Sequence, residues 1–430
     1  MSAVTPVMRT GVRPASHPRP TPRVEQTLQR ERHDPEYGIL VAIVALAALG
    51  ILMVYSSSAM RAYLQKDDTF AIVGPQILWG ALGIVAMVVT MRLDYRLLRL
   101  VALPLYLVGL AALVLVFVPQ LNVVVGGSAR WLKIGPLPAV HPAEFMKLAV
   151  VVYLAYWFEK RGTGVRKFWS GTVPFILLAG PVVALVLLEP DMGTASVLAG
   201  TSVIMFFLAG ANVLHLLLMA AAGIPVVFYK FMHGYQMDRI NAWLDPFSVS
   251  AGDGYHSVQG FLALALGGIF GAGLGESRLA GGLFVPNASN DFIFAIIGEE
   301  FGLIGAGLVI LLFAAVAYLG IRTSLGAPDT FGALLAAGIT GWICIQAFIN
   351  IGVVVGLIPV TGIPLPFVSA GGSSLVVAFA AVGILLSVSR ETVEKGTWND
   401  APADRGRRNR RARLPGSGRR PVASRSTRAG

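Results

Sequence analysis

Ten apolar runs separated by short polar or basic turns set the pattern of the 430-residue chain. They cover about residues 38–57, 71–91, 100–118, 145–157, 173–188, 194–209, 213–231, 292–319, 331–353 and 375–388. Runs of this kind predict helices that lie in lipid, so the expected fold is an all-α integral membrane protein with about ten transmembrane helices. Arginines and lysines at Arg92, Arg96 and Arg99, at Lys160, Arg161, Arg166 and Lys167, and at Arg322 mark alternate turns as facing the cytoplasm. Both termini then fall on the cytoplasmic side. The longest stretch without a clear span, 232–290, becomes a large extracytoplasmic loop between helices 7 and 8. A loop of that length marks function more often than linkage.

Composition supports this class: 55% of residues are hydrophobic and 13% charged, values that a water-soluble chain of this length would hardly tolerate. The net charge of +11 does not point to nucleic acid, because the arginines are concentrated in two tails rather than on a folded face. Anionic membrane lipids are the simpler partner for those tails. The chain divides into a disordered basic cytoplasmic arm (1–36), a polytopic membrane domain (37–390) and a disordered Arg-rich cytoplasmic tail (391–430). The arm holds Arg9, Arg13, Arg19, Arg23, Arg30 and Arg32 and has no apolar signal-like core. Cys344 is the single cysteine, which excludes a disulfide framework or a cysteine metal site.

Candidate chemistry is concentrated in a few polar stretches. Within GGSARWLKIGPLPAVHPAEFMK (126–147), Arg130 and Trp131 place a cation beside an aromatic, either to grip a phosphate or to anchor the chain at headgroup level. Glu144 and Lys147 stand at an i, i+3 spacing that makes one ion pair. An acidic turn follows at Glu189, Pro190 and Asp191. The 232–290 stretch contributes Arg239, Trp243, Asp245, His256, Ser257 and Gln259 before a glycine-rich turn that lacks any βαβ setting for a dinucleotide. VPNASNDFIFAIIGEEFGLIG (285–305) leads a polar run into Asp291 and then into an apolar helix carrying Glu299 and Glu300. Acids at that depth are costly and mark function or buried pairing. Asp291, partly desolvated where the chain enters the membrane, is suited to a general base; it also stands where a helix N-cap belongs. The proline- and glycine-dense run 356–374 cannot be a regular helix and must line a cavity or be shielded by protein. No GxxxxGK, HExxH or readable internal repeat occurs, which argues against an ATP-driven machine, a zinc protease and, less strongly, a transporter of the inverted-repeat kind.

The segment 285–305, together with NIGVVVGLIPVTGIPLPFVSAGGSS (350–374), resembles the SEDS family (shape, elongation, division and sporulation), whose members include RodA and FtsW. RWLKIG, HPAEFMKLA, EPDMGTA and ALGGIFGAGLGES extend the likeness over the ten predicted spans. The family usually shows Gln-Pro-Ser-Glu where this chain has His141, Pro142, Ala143 and Glu144, and Tyr-Gly-Gly where it has Ala370, Gly371 and Gly372. The flavour of the motifs is closer to the actinobacterial FtsW branch than to RodA. The resemblance implies a peptidoglycan glycosyltransferase that polymerises lipid II at the outer face of the bacterial cytoplasmic membrane, at the division septum. Asp291 would be its essential catalytic carboxylate, the acceptor of the attacking hydroxyl's proton. Arg130, Trp131, Glu144, Lys147, Arg239, Gln259, Glu300, Ser369, Gly371, Gly372 and Ser373 would be its substrate-binding residues. A divalent cation (Mg or Mn) would help the diphosphate leave, although the sequence identifies no metal ligand. A class B penicillin-binding protein transpeptidase and other division proteins would be the partners. A lipid II flippase, a RodA-like elongation polymerase and a recruiting scaffold are the competing expectations.

Overall fold

The computed structural model describes residues 34–125, 128–133, 135, 139–231, 235–248, 253–282, 284 and 288–391. The expectations for most of the basic arm, nearly all of the Arg-rich tail, Gly126, Gly127 and 285–287 lie outside them. Each predicted apolar run coincides with a helix. These are α1 (Tyr37–Lys66), α2 (Val73–Arg92), α3 (Leu98–Leu115), α4 (Pro142–Arg161), α5 (Val173–Leu188), α6 (Met192–Leu208) and α7 (Val213–Phe231). Within the stretch after α7 the described residues form α8 (Tyr235–Leu244), α9 (Asp253–Gly267) and the single turn α10 (Arg278–Gly281). Then come α11 (Ile293–Gly326), α12 (Thr330–Val354) and α13 (Ser373–Ser389). A two-stranded antiparallel hairpin, β1 (Asn122–Val125) and β2 (Ser128–Leu132), stands between α3 and α4.

Six helical segments are long and apolar enough to cross a bilayer: α1, α2, Tyr95–Leu115 containing α3, Phe168–Leu188 containing α5, α11 and α12. α6, the Val213–Gly223 part of α7 and α13 are shorter apolar helices. The core runs along α4 and α12, which pack against each other: Met146, Ala149, Val151 and Ala155 on α4 and Leu335, Ile339, Trp342 and Ile343 on α12 are all fully or almost fully buried. Leu78, Leu82, Val85, Leu100 and Val108 on α2 and α3 instead point outward and exposed. An apolar outer surface around a closely packed interior fits a lipid-facing bundle.

α11 carries the site and is not one continuous helix. Gly302 breaks it at φ 67°, ψ −161°, a conformation that essentially only glycine adopts. The turn between α9 and α10 supplies what the break releases. Ala272 N–H donates to the Glu299 carbonyl (2.9 Å), Gly273 N–H to that of Glu300 (3.0 Å), and Leu303 N–H to that of Gly268 (2.9 Å). A broken helix survives in a bundle when such groups find partners. The glycine-rich run therefore lies against α11 as a docked turn, and its glycines serve close backbone approach: a Cβ on Gly267 or Gly271 would collide with the α11 backbone.

The opposite end of α12 is held by charge. Arg96 meets Asp329 (3.2 Å) and Glu391 (2.5 Å), while Arg99 meets Glu159 (2.7 Å) and Asp329 (3.3 Å). Asp329 also caps α12 by accepting the Gly332 N–H at 2.7 Å.

Candidate active site

Asp291 sits in the turn just before α11, half-buried. Phe292, not Asp291, occupies the N-cap position, and no side chain caps that helix. The expectation of an N-cap aspartate is thus corrected for this helix; Asp191, by contrast, does cap α6, accepting the Thr194 N–H at 3.0 Å. The main chain around Asp291 is held on two sides. The Asn350 amide on α12 donates to the Asp291 carbonyl (2.9 Å) and to that of Ile363 (2.7 Å). Ser369 donates to the Asn290 carbonyl (2.6 Å), and Ala370 N–H to that of Ser289 (2.8 Å). Gln76 on α2 completes the frame by donating to the Ser369 carbonyl (3.2 Å) and accepting the Gly371 N–H (3.0 Å). The irregular run between α12 and α13 is thereby shielded by protein, and its polar backbone is bonded to the turn that bears the acid.

A cavity of about 160 Å³ opens over this turn. Its wall includes Arg130, Trp131, Glu144, Gly371 and Ser373 of the expected set, together with Asp291. Arg130 is aimed by the hairpin and donates to the carbonyls of Glu189 (3.2 Å) and Pro190 (2.5 Å). Glu144 pairs with Lys147 at 2.7 Å, and both are buried. Lys147 is not in the wall. Its ammonium donates to Gln346 (2.7 Å) and lies 5.0 Å from the centre of the Trp342 ring.

The other expected residues fall elsewhere. Arg239 on α8 donates to the Val360 carbonyl (3.1 Å) and lines a separate apolar cavity of about 120 Å³ with Met192, Ile349 and Ile358. Gln259 on α9 is half-buried and outside the wall of the cavity. Glu300 is buried beside the α11 break and accepts the Ser56 hydroxyl. Its neighbour Glu299 accepts the Ser277 hydroxyl (2.5 Å) and the Arg278 N–H (2.9 Å), so this pair staples the docked turn to α11. Ser369 acts through the backbone frame, and Gly372 gives room to the Trp79 indole. Two further wall residues, His141 and Asp191, escaped the site reading from sequence, as did the framing amides of Asn350 and Gln76. Polar side chains inside apolar helices were the available signal for both amides.

Burial sets the electrostatics. It pushes Asp291 up to about 6, with the Asp191 carboxylate in the same direction and Arg239 and Arg130 opposing. Glu189, with 1% of its surface exposed and neither carboxyl oxygen hydrogen-bonded, is pushed up to about 8, first by burial and then by Asp191. Burial lowers His141, with Lys147 and Arg130 adding to it and Asp191 and Glu144 opposing. A half-buried carboxyl titrating near 6 is a competent base at neutral pH, and the nearby guanidinium can meet an anionic leaving group. Among the described residues no three His, Cys, Asp or Glu side chains converge to hold a metal ion. Asp191 is already engaged by Thr194 and faces His141. These residues do not make a protein-built metal cage.

A family model described as Cell cycle protein, FtsW/RodA/SpoVE, matches residues 37–394. Stage V sporulation protein E of Bacillus subtilis is 39% identical over 361 residues, covering 84% of this chain and 98% of its own. The probable peptidoglycan glycosyltransferase FtsW of Mycobacterium tuberculosis is 35% identical over 412 residues, 95% of this chain and 78% of its own. Among solved structures, a chain from work on structural coordination of polymerization and crosslinking by a peptidoglycan synthase complex superposes with TM-score 0.68 at 28% identity, covering 83% of this chain and 98% of that one. The rod shape determining protein RodA of Thermus thermophilus superposes with TM-score 0.62 at 26% identity, covering 84% and 98%. With its matched helices, its framed acid and a family match over the whole helical region, the chain belongs to the FtsW/RodA/SpoVE family.

Proposed function

We propose that the chain is a peptidoglycan glycosyltransferase that joins lipid II units into glycan strands, with Asp291 as the general base. The carrying observation is the placement of Asp291: a carboxyl titrating near 6, in a cavity that also presents Arg130, on a turn whose main chain is fixed by Asn350 and Ser369. The acceptor sugar hydroxyl gives its proton to Asp291 as its oxygen bonds to the anomeric carbon of the donor. The bond from that carbon to the diphosphate breaks, and the bonding pair leaves with the polyprenyl diphosphate. Arg130, in the wall of the same cavity, offsets the charge that develops. The chain crosses the cytoplasmic membrane about ten times with this cavity on the outer side and both termini inside, and it works at the division septum beside a class B penicillin-binding protein. The names of the FtsW relatives and the synthase-complex neighbour support the reaction and the transpeptidase partner. A divalent cation would arrive with the diphosphate rather than in a cage of side chains.

The test is strand formation from purified lipid II by the protein with its transpeptidase partner. Asp291→Asn, shown to fold by its melting temperature, is expected to lower the rate by about 10²-fold or more. Equal polymer from both proteins overturns the assignment of Asp291. Lipid translocation without polymer from the native chain moves the flippase reading ahead.

A further inference from the structure

The cavity wall holds, beside Asp291 and the Lys147-paired Glu144, a third carboxylate that has no part in the transfer step. Asp191 is buried; one oxygen is held by the Thr194 N–H at 3.0 Å, and the other lies 3.6 Å from His141 Nε2. His141 is itself locked. Its ring meets the Trp131 indole edge-on with centroids 5.4 Å apart, and its backbone N–H points to Ser373 Oγ at 3.4 Å. Both residues share the cavity wall with Asp291. Asp191 is therefore a like charge in the wall it shares with the base, and His141 is an ionisable group in contact with it.

We propose that Asp191 is a positioning residue of the reaction, a fixed carboxylate whose negative charge strengthens Asp291 as a base, and that His141 regulates how much of that charge Asp291 experiences. The proposal rests on the reading of Asp291 as the base. A like charge in the same cavity wall disfavours a second negative charge, so Asp191 holds the proton affinity of Asp291 up. While His141 is neutral this influence is uncompensated. Once His141 takes a proton, it and Asp191 form an ion pair and the effect on Asp291 weakens. The other charges in these surroundings are Arg130 from the hairpin, Glu144 and Lys147 from α4, Glu189 from the end of α5 and Arg239 from α8. Glu144 and Lys147 are paired to each other, and Arg130 is bonded to the carbonyls of Glu189 and Pro190. Burial keeps the His141 ring neutral at neutral pH, where its effect on Asp191 is absent.

The experiment is the pH dependence of strand formation from lipid II with the native protein, Asp191→Asn and His141→Gln. Asparagine caps a helix about as well as aspartate, so the first variant removes the charge and keeps α6 capped. Asp191→Asn is expected to move the acid limb of the normalised profile to lower pH by about one unit, the size that a neighbouring charge imposes. His141→Gln is expected to move it the other way, to higher pH, because the compensating cation no longer forms. Acid limbs that coincide for all three proteins, or that move in the same direction for both variants, overturn the proposal. A lower rate at every pH with an unchanged limb assigns the two residues to structure alone, which also overturns it. The Asp291→Asn arm keeps the parent reading separate: if that variant still polymerises, the base assignment fails whatever the limbs of the other two do.

Discussion

Lys147 is 2% exposed and Glu144 6%, and their 2.7 Å contact is supported by the Gln346 carbonyl oxygen and the Trp342 ring. A pair taken this far from water repays its desolvation only while both partners are present. Lys147→Met strands the Glu144 carboxylate and is expected to cost about 3–5 kcal/mol, whereas Lys147→Met with Glu144→Gln recovers most of that. Unfolding of the three proteins in detergent micelles measures both. This pair was legible in the sequence because its members are three residues apart on one helix. The partnership of His141 with Asp191 was not, since a contact between the start of α4 and the cap of α6 leaves no mark in local spacing. Asp291, Arg130, Trp131 and Glu144 were named from polar residues bordering apolar runs, and the fold brings them into one wall.

At the level of elements, the ten apolar runs gave up their helices because burial in lipid and burial in a core both demand continuous apolar sequence. The stretch after α7 did not, because α8 has a polar composition and the glycines of the α9–α10 turn read as loop. The break in α11 was invisible for a different reason. Gly302 lies in apolar sequence without a proline, and only its docking partners, from a distant turn, hold it at positive φ. Gly302→Ala places a Cβ against the Gly271 N–H and the Ile269 carbonyl in a backbone conformation closed to alanine. It is expected to destabilise by about 1–3 kcal/mol from the backbone alone, read as a lower melting temperature in micelles, with no recovery from Gly302→Ser. A melting temperature equal to the native one would show that α11 straightens without cost. The hairpin between α3 and α4 was likewise unread, because strands this short carry too few residues for an alternating pattern to emerge.

Across the whole molecule, the two ends of the bundle are held by different physics. The cavity end depends on backbone hydrogen bonds, and the other on the cluster of Arg96, Arg99, Asp329, Glu159 and Glu391, which joins α3, α4, α12 and the end of α13. Burial would raise Asp329, but the Gly332 N–H, the Tyr95 hydroxyl, Arg99 and Arg96 outweigh it and hold this acid below the usual carboxylate range. A depressed acid stabilises the fold above its unfolded pKa, and that contribution is lost as the pH falls through the folded value. Asp329→Asn is expected to lower the melting temperature at pH 6 and to show a smaller further drop between pH 6 and pH 3 than the native protein. Equal drops would mean that the cluster carries no pH-dependent stability. The break in α11 has a mechanical meaning as well. A helix that spans lipid tilts to follow the local thickness of its bilayer, and an unbroken α11 would transmit that tilt to its head. With a joint at Gly302 pinned by the docked turn, the longer half can lean with the membrane while the turn before the short half, framed by Asn350 and Ser369, keeps Asp291 in the cavity wall.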